Sequence, residues 1–397
     1  MEPGLGGLDG STGLEPPPKE KTAWESEKFQ AVEEACKWRD LDKLRKLAES
    51  EGGFLADELR QQAWPILLGL GPDVPTPADS WNELPRHQDE DQVQLDVDRA
   101  FVYYPKDQTS TQLEIQKAQL SSLIISILRT YPYLHYFQGY HDISQVLLLV
   151  LPARLLPTAL ARLSILRIRD FMLPKLDPAI AQLRLIPDIL RGADPKLYRH
   201  LSGTEPFFAL SGTLTMYAHD ITTLGEISRL FDVLLAREPV FSVYMFATIV
   251  ISRRAELFEV EEDEPEMLHS ILSKLPKPLD LDRLIAEAVS LMERHPPEGL
   301  RAWKGISSAS VLKTARDVNA CCMQTLEDGE RWFGQQSREI LWQRRMRAAR
   351  GLVWKHRRPM GMAGLAVLVG LVAMLARRET GMGVTGWLAA ILARWVR

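Results

Sequence analysis

Two short segments of the chain hold residue types that can act on a ligand. The first is Val93-Gln94-Leu95-Asp96-Val97-Asp98-Arg99, with an acid and a guanidinium three positions apart. Read as a strand, it puts Asp96 and Asp98 on one face and Arg99 on the other. Read as a helical turn, it puts Asp96 and Arg99 on one face, where the carboxylate can orient the guanidinium. The second is Tyr136-Phe137-Gln138-Gly139-Tyr140-His141-Asp142, which follows Pro132 and precedes the apolar run Ile143–Val150. That order reads as a loop entering a helix. A Gln and a Gly there present an amide where the backbone can be approached closely. Taken alone, an Asp-x-x-Arg is an ordinary surface ion pair.

Most other chemistry has no foothold. There is no phosphate-cradling G-x-x-x-x-G-K-[ST] and no G-x-S-x-G. Gly381-x-Gly383-x-x-Gly386 matches the dinucleotide fingerprint by letter, but no strand precedes it and no βαβ unit surrounds it, so it is a chance match. The eight His are scattered, and the three Cys (Cys36, Cys321, Cys322) fit neither a disulfide framework nor metal-ligand spacing. No metal site and no nucleotide of the chain's own is expected. With 48 basic and 52 acidic residues the net charge is −4, which gives no overall field for nucleic acid.

The elements around these segments read as helical almost throughout. A length of 397 residues, 46% hydrophobic and 25% charged, is ordinary for a folded chain with a large domain and appendages, cytosolic in its bulk. Leu120, Leu123, Ile124, Ile127 and Leu128 fall on one helix face. Leu41, Leu44 and Leu47 recur behind Asp40 as N-cap, and Asp57–Leu70 has an apolar face interrupted by Pro65, which should kink or end the helix. Further helices fit Ile143–Val150, Pro157–Phe171, Pro178–Ile186, Leu224–Ala236, Val240–Leu257, Glu264–Leu275 and Leu281–Arg294. Val240–Ser252 is apolar but too short to cross a bilayer, so it reads as a buried core helix. The acidic stretch Glu259–Glu266 reads as a solvated loop. The fold class is therefore all-α, one multi-helix domain over residues 25–305.

The ends differ. Residues 1–22, rich in Gly and Pro, read as a disordered arm with no secretory signal. Residues 306–358 read as a basic helical linker. Met360–Ala376 is seventeen residues without a charge, flanked by Arg350, Lys355, Arg357 and Arg358 before it and by Arg377 and Arg378 after it. As a helix it covers about 25 Å, enough for a thin bilayer such as that of the endoplasmic reticulum. The more basic N-terminal flank predicts that the main domain faces the cytosol and that this transmembrane helix is a C-terminal anchor. The tail 377–397 has Trp387, Leu388, Ile391, Leu392 and Trp395 at helical spacing, fit to lie in the interface or return as a second half-span.

In this order, and some forty positions apart, the two segments resemble the TBC domain of Rab GTPase-activating proteins. The family pattern I-x-x-D-x-x-R is similar to Val93-x-x-Asp96-x-x-Arg99, with Val for Ile. Y-x-Q-G is matched by Tyr136-Phe137-Gln138-Gly139, and Asp142 falls where the family carries an acid. R-x-x-x-W-x-x-L-L-G is matched by Arg60 to Gly69, and Leu230-Phe231-Asp232 resembles the family's aromatic-Asp helix. The resemblance covers roughly residues 50–300. Where the family has T-x-P directly after the arginine, Arg99 is followed by Ala100-Phe101-Val102-Tyr103-Tyr104-Pro105. This spacing, the Glu51-Gly52-Gly53-Phe54-Leu55 opening and the C-terminal span look like one branch of the family.

The resemblance implies a GTPase activator that supplies two fingers in trans. Arg99 would neutralise charge on the phosphates and Gln138 would place the attacking water. Asp96 would hold Arg99, with Tyr136, Gly139 and Asp142 in support. It implies a Rab partner that binds the GTP and Mg²⁺ itself, so no cofactor of this chain's own. It also implies residence in the endoplasmic reticulum membrane and action in early secretory traffic. The rival expectations are a non-catalytic Rab-binding scaffold and a membrane-tethering adaptor.

Overall fold

The computed structural model describes residues 22–72, 79–106, 108–380 and 386. All regular structure among them is helical. Helices α1 (Ala23–Trp38), α2 (Leu41–Glu49) and α3 (Asp57–Leu67) open the domain, followed by α4 (Glu90–Val97), α5 (Ser110–Thr130), α6 (Tyr140–Val150) and α7 (Leu156–Leu166). Four short helices follow: α8 (Asp177–Leu183), α9 (Leu185–Ala193), α10 (Pro195–His200) and α11 (Leu210–Leu214). Then come α12 (Leu224–Ala236), α13 (Phe241–Ser252), α14 (Arg254–Leu257), α15 (Pro265–Leu272) and α16 (Leu281–Arg294). The last are α17 (Val311–Thr314), α18 (Val318–Met323) and α19 (Leu326–Thr380).

Local chemistry sets many of these ends. Thr22 and Glu25 form a capping box at the start of α1, so Thr22 belongs to the domain, while 1–21 of the expected arm lie outside the described residues. Asp40 accepts from the Lys43 amide at 2.9 Å and caps α2 as expected. α3 ends two residues past Pro65. The amide of Leu70 bonds the Pro65 carbonyl at 2.8 Å and that of Gly69 bonds Ile66 at 2.9 Å. Gly69 takes φ +76°, the left-handed conformation this C-cap requires. The expected helix 157–171 stops at Leu166, with a 3₁₀ turn at Arg169–Phe171, and the expected helix 178–186 is two helices, α8 and α9. The 259–264 loop is solvent-facing before Pro265 starts α15.

α13 is buried along nearly all its length, as the short apolar run required. Beside it, α12 carries the charge around which the N-terminal helices assemble. The Asp232 side chain has no solvent exposure. Its Oδ1 accepts from Trp64 Nε1 at 2.8 Å and Arg60 Nε at 3.0 Å, and its Oδ2 accepts from the Phe54 amide at 3.0 Å and Arg60 Nη2 at 3.2 Å. Gly53, at φ +56°, passes so close that a Cβ there would lie 2.5 Å from Oδ2. The Gly-Gly-Phe opening, the Arg-x-x-x-Trp helix and the Phe-Asp helix thus meet at one carboxylate.

The expected linker from residue 306 is packed into the domain for its first thirty residues, and the compact unit ends at Gln336. The reason is a second pair of buried charges. Asp170 accepts from Gln182 and Gln336 amides, each at 2.8 Å, from the Val311 amide at 3.2 Å and from Ser310 Oγ. Arg169, fully buried, donates to Ile165 O at 3.0 Å, Thr314 Oγ1 at 2.7 Å, Gln336 Oε1 at 3.2 Å and Ala309 O, and stacks 5.0 Å from the Trp332 ring. Residues 309–336 are the partners these charges need.

The second unit begins at Ser337, and α19 runs through it to Thr380. Among the described residues no helix is long and apolar enough to cross a membrane. Most side chains of the expected span Met360–Ala376 lie outside the described residues, as does nearly all of the expected tail 377–397 beyond Thr380.

Asp232→Ala strips the Arg60 guanidinium of its buried anion, leaving only Asp57 at 2.8 Å on Nη1, and removes the acceptor of Trp64 Nε1 and the Phe54 amide. Losing one member of such a pair costs about 3–5 kcal/mol. Chemical denaturation should show a loss of that size, against less than ~0.5 kcal/mol for an exposed control substitution such as Glu287→Ala.

Candidate functional site

The first segment is helical. α4 runs from Glu90 to Val97, Asp98 keeps right-handed helical angles, and the amide of Arg99 bonds the Asp96 carbonyl at 3.1 Å. The strand alternative is excluded. α5 locks α4 from its flank. Glu90 takes Arg129 Nε at 2.7 Å and Nη2 at 2.9 Å as a fork, and accepts from the His87 amide at 2.7 Å. These bonds, the Arg129 fork first, hold the Glu90 carboxyl below the usual carboxylate range. Near Arg99, Lys117 Nζ bonds the Asp98 carbonyl at 2.8 Å and Ser121 Oγ bonds Gln94 at 3.2 Å.

Asp96 does not hold Arg99 by a salt bridge. Its side chain, buried, accepts from Tyr136 Oη at 2.9 Å and Gln92 Nε2 at 3.0 Å. The i, i+3 geometry that brings an acid near an arginine is overridden because Tyr136 reaches the carboxylate from the second segment. The Arg99 side chain is exposed and, among the described residues, has no hydrogen-bond or ion-pair partner.

The second segment is a turn pinned at every side of Gln138. The Tyr136 amide bonds Asp89 Oδ2 at 3.0 Å and the His135 amide bonds the Met172 carbonyl at 2.9 Å. Burial and the neighbouring Asp96 charge push the Tyr136 phenol far above its ordinary range, so it stays a proton donor. Gly139 is the N-cap of α6 at φ +98°, and a Cβ there would collide with the Thr215 methyl. Only glycine satisfies both the angle and the space. Gln138 is exposed, and among the described residues its amide has no partner.

Arg99 and Gln138 line one cavity of about 250 Å³. Gln138 also lines a larger neighbouring cleft of about 760 Å³ that extends toward Phe171 and Leu214. Between them lies a chain of polar groups. His141 Nδ1 is 3.2 Å from Tyr136 Oη, its Nε2 is 3.2 Å from Asp142 Oδ1, and His219 Nδ1 is 3.0 Å from Asp142 Oδ2. The hydrogen bond to Asp142 raises the His219 imidazole above its ordinary value.

Three contributors escaped sequence reading. Gln145 on α6 accepts from the Phe101 amide at 3.0 Å and donates to the Tyr104 carbonyl at 3.2 Å, clamping the segment after Arg99. Its signal was a lone amide inside the apolar run Ile143–Val150, where burial demands a partner. Tyr104 Oη reaches the Ala218 carbonyl at 3.4 Å. His219 lies seventy-seven positions from Asp142, and no local spacing links them. Among the described residues no group of three or more His, Cys, Asp or Glu could hold a metal ion.

The sequence matches the Rab-GTPase-TBC domain family over residues 57–258, which includes Asp96, Arg99, Tyr136, Gln138, Gly139 and Asp142. TBC1 domain family member 20 of Bos taurus is 34% identical over 310 residues, 78% of this chain and 75% of that protein. The Homo sapiens protein of the same name is 33% identical over the same shares. The GTPase-activating protein gyp10 of Schizosaccharomyces pombe is 34% identical over 287 residues, 70% of this chain and 76% of that protein. With half of its length matched by the family and a third of the aligned residues shared with relatives over most of both chains, this protein belongs to the Rab-GTPase-TBC domain family.

Proposed function

We propose that this chain accelerates GTP hydrolysis by a Rab GTPase, with Arg99 and Gln138 entering the partner's nucleotide site together. The observation that carries the reading is that two exposed, unpartnered head groups, a guanidinium and an amide, line one small cavity on separately braced segments. A scaffold that only binds the partner has no use for two such groups left without internal bonds. The relatives named as GTPase-activating proteins support the same reading.

The chemistry follows from the groups. A GTPase alone hydrolyses slowly because charge developing on the phosphates is poorly met and the attacking water is poorly held. Arg99 is always charged and offers a planar fork of donors to the phosphate oxygens. An arginine finger contributes about 10³–10⁵ in rate. The Gln138 amide can accept from water and donate to a phosphate oxygen, which suits it to hold the nucleophile in line. Asp96, through Tyr136, ties the arginine's helix to the glutamine's turn, and Asp142 orders His141 and His219 beside them. GTP and Mg²⁺ belong to the partner, so the chain acts as an activator with no cofactor of its own.

The same proposal includes the anchor. The uncharged run Met360–Ala376, more basic on its N-terminal flank, supports a C-terminal span that holds the domain on the cytosolic face of the endoplasmic reticulum. There it meets a Rab of early secretory traffic on the same bilayer. Tethering raises the effective concentration of the two proteins.

Single-turnover GTP hydrolysis by a panel of Rabs tests the fingers. Arg99→Ala and Gln138→Ala should each lower stimulated hydrolysis by about 10²–10³. Their melting temperature should stay at the wild-type value, since neither head group has an internal partner. Full stimulation by the Arg99 variant would remove the finger from the mechanism. Tyr136→Phe and Asp96→Ala act by misplacement, so each should lower the rate by up to about 10². The loss should fall on kcat and leave KM nearly unchanged. Alkaline carbonate extraction tests the anchor: full-length protein should stay in the membrane pellet and protein truncated from Pro359 should not. Release of the full-length chain would refute the span.

A further inference from the structure

The segment between Arg99 and Pro105 is built to hold two large side chains in water. Ala100, Phe101 and Tyr104 are buried, whereas Val102 is 73% and Tyr103 50% exposed. Gln145 clamps the segment on both sides of the exposed pair, at the Phe101 amide and the Tyr104 carbonyl. Phe101 takes φ +62°, a conformation unfavourable for a bulky L residue, and the clamp and its burial hold it there. Val102 and Tyr103 are thereby turned outward on a short, internally bonded loop. Leu95, on α4 one turn before Arg99, is also exposed. Val102 and Tyr103 line the same cavity as Arg99 and Gln138.

We propose that Val102 and Tyr103 are a docking contact for the GTPase, receiving an apolar surface of the partner next to its nucleotide and setting which Rab is accepted. The inference rests on the proposed role of Arg99 and Gln138, since a partner that offers its phosphates to those two groups must cover the adjoining loop. A rigid aromatic side chain loses little conformational freedom on binding, and such residues dominate interface energetics when water is excluded around them. The loop offers no donor or charge to the reacting bonds. It contributes binding shared by ground and transition states, which appears in KM and leaves kcat unchanged.

The test is GTP hydrolysis by a panel of GTP-loaded Rabs with the full chain, its Val102→Ser/Tyr103→Ser double variant, Tyr103→Phe and Arg99→Ala, together with the oligomeric state of each in solution. The double variant should raise KM about tenfold or more for the preferred Rab, keep kcat within about twofold and narrow the preference among Rabs, as loss of a central aromatic contact does elsewhere. Tyr103→Phe, which keeps the apolar ring, should stay near wild type. Unchanged KM and selectivity in the double variant would overturn the proposal. So would a fall in kcat with KM preserved, which would make the loop a support for Arg99 alone. A wild-type dimer dissolved by the double variant with KM unchanged would assign the surface to a second copy and overturn it as well. If Arg99→Ala retains full stimulation while the double variant raises KM, the finger reading fails and the docking surface stands. If the wild type stimulates no Rab, both fall together.

Discussion

The constraint on Arg99 and Gln138 is that their head groups face solvent. Among the described residues neither has an internal partner, so what positions them works on their backbones and neighbours. The answer in this fold is one part-buried hydrogen bond, from the Tyr136 phenol to the Asp96 carboxylate at 2.9 Å. It joins the last turn before the arginine to the turn that carries the glutamine. Its acceptor, the Asp96 carboxylate, is buried, so leaving that bond unmade is expensive and the two segments keep one relative position. Glu90 with Arg129, Asp89 with the Tyr136 amide, and Gln145 with the loop beyond Arg99 fix the same two segments from outside.

The family's other signature letters have structural work. Arg60, Trp64 and Asp232, two of them in one motif and the third more than 160 positions away, form a single buried network with the Phe54 amide. Gly53 and Gly69 are glycine because φ is positive and because Asp232 and Arg162 crowd the places where a Cβ would stand. None of these residues lines the cavity shared by Arg99 and Gln138. They maintain the packing of α1, α2, α3 and α12, against which the site's own helices are placed. The site's glycine, Gly139, obeys the same rule for a different purpose: it lets Thr215 close behind the Gln138 turn.

A loop that departs from the family pattern directly after Arg99 would be expected to loosen the finger. Instead its extra residues are split by burial, with Phe101 and Tyr104 inward and Val102 and Tyr103 outward. One Gln side chain makes both bonds that hold it. The longer segment is therefore ordered by the core while two of its side chains are presented at the surface.

Periodicity and punctuation located several of the longer helices, though not all of their ends. The cap at Asp40, the stop after Pro65 and the buried apolar α13 are local effects, determined by residues within a few positions of one another. The paired motifs named Arg99 and Gln138 and the helical option for Asp96. Four things were decided only in three dimensions. Asp96 turned to Tyr136 instead of Arg99, because a phenol forty positions away offered a buried donor and the arginine remained in water. Residues 306–336 joined the domain instead of linking it, because Arg169 and Asp170 were buried by a different part of the chain and needed partners. His219 reached Asp142 across seventy-seven positions, and Gln145 took up the loop after the finger. Spacing encodes what neighbours along the chain can do for each other. The pairing of buried polar groups depends on which distant surfaces fold together, and only the packed structure brings donor and acceptor within reach.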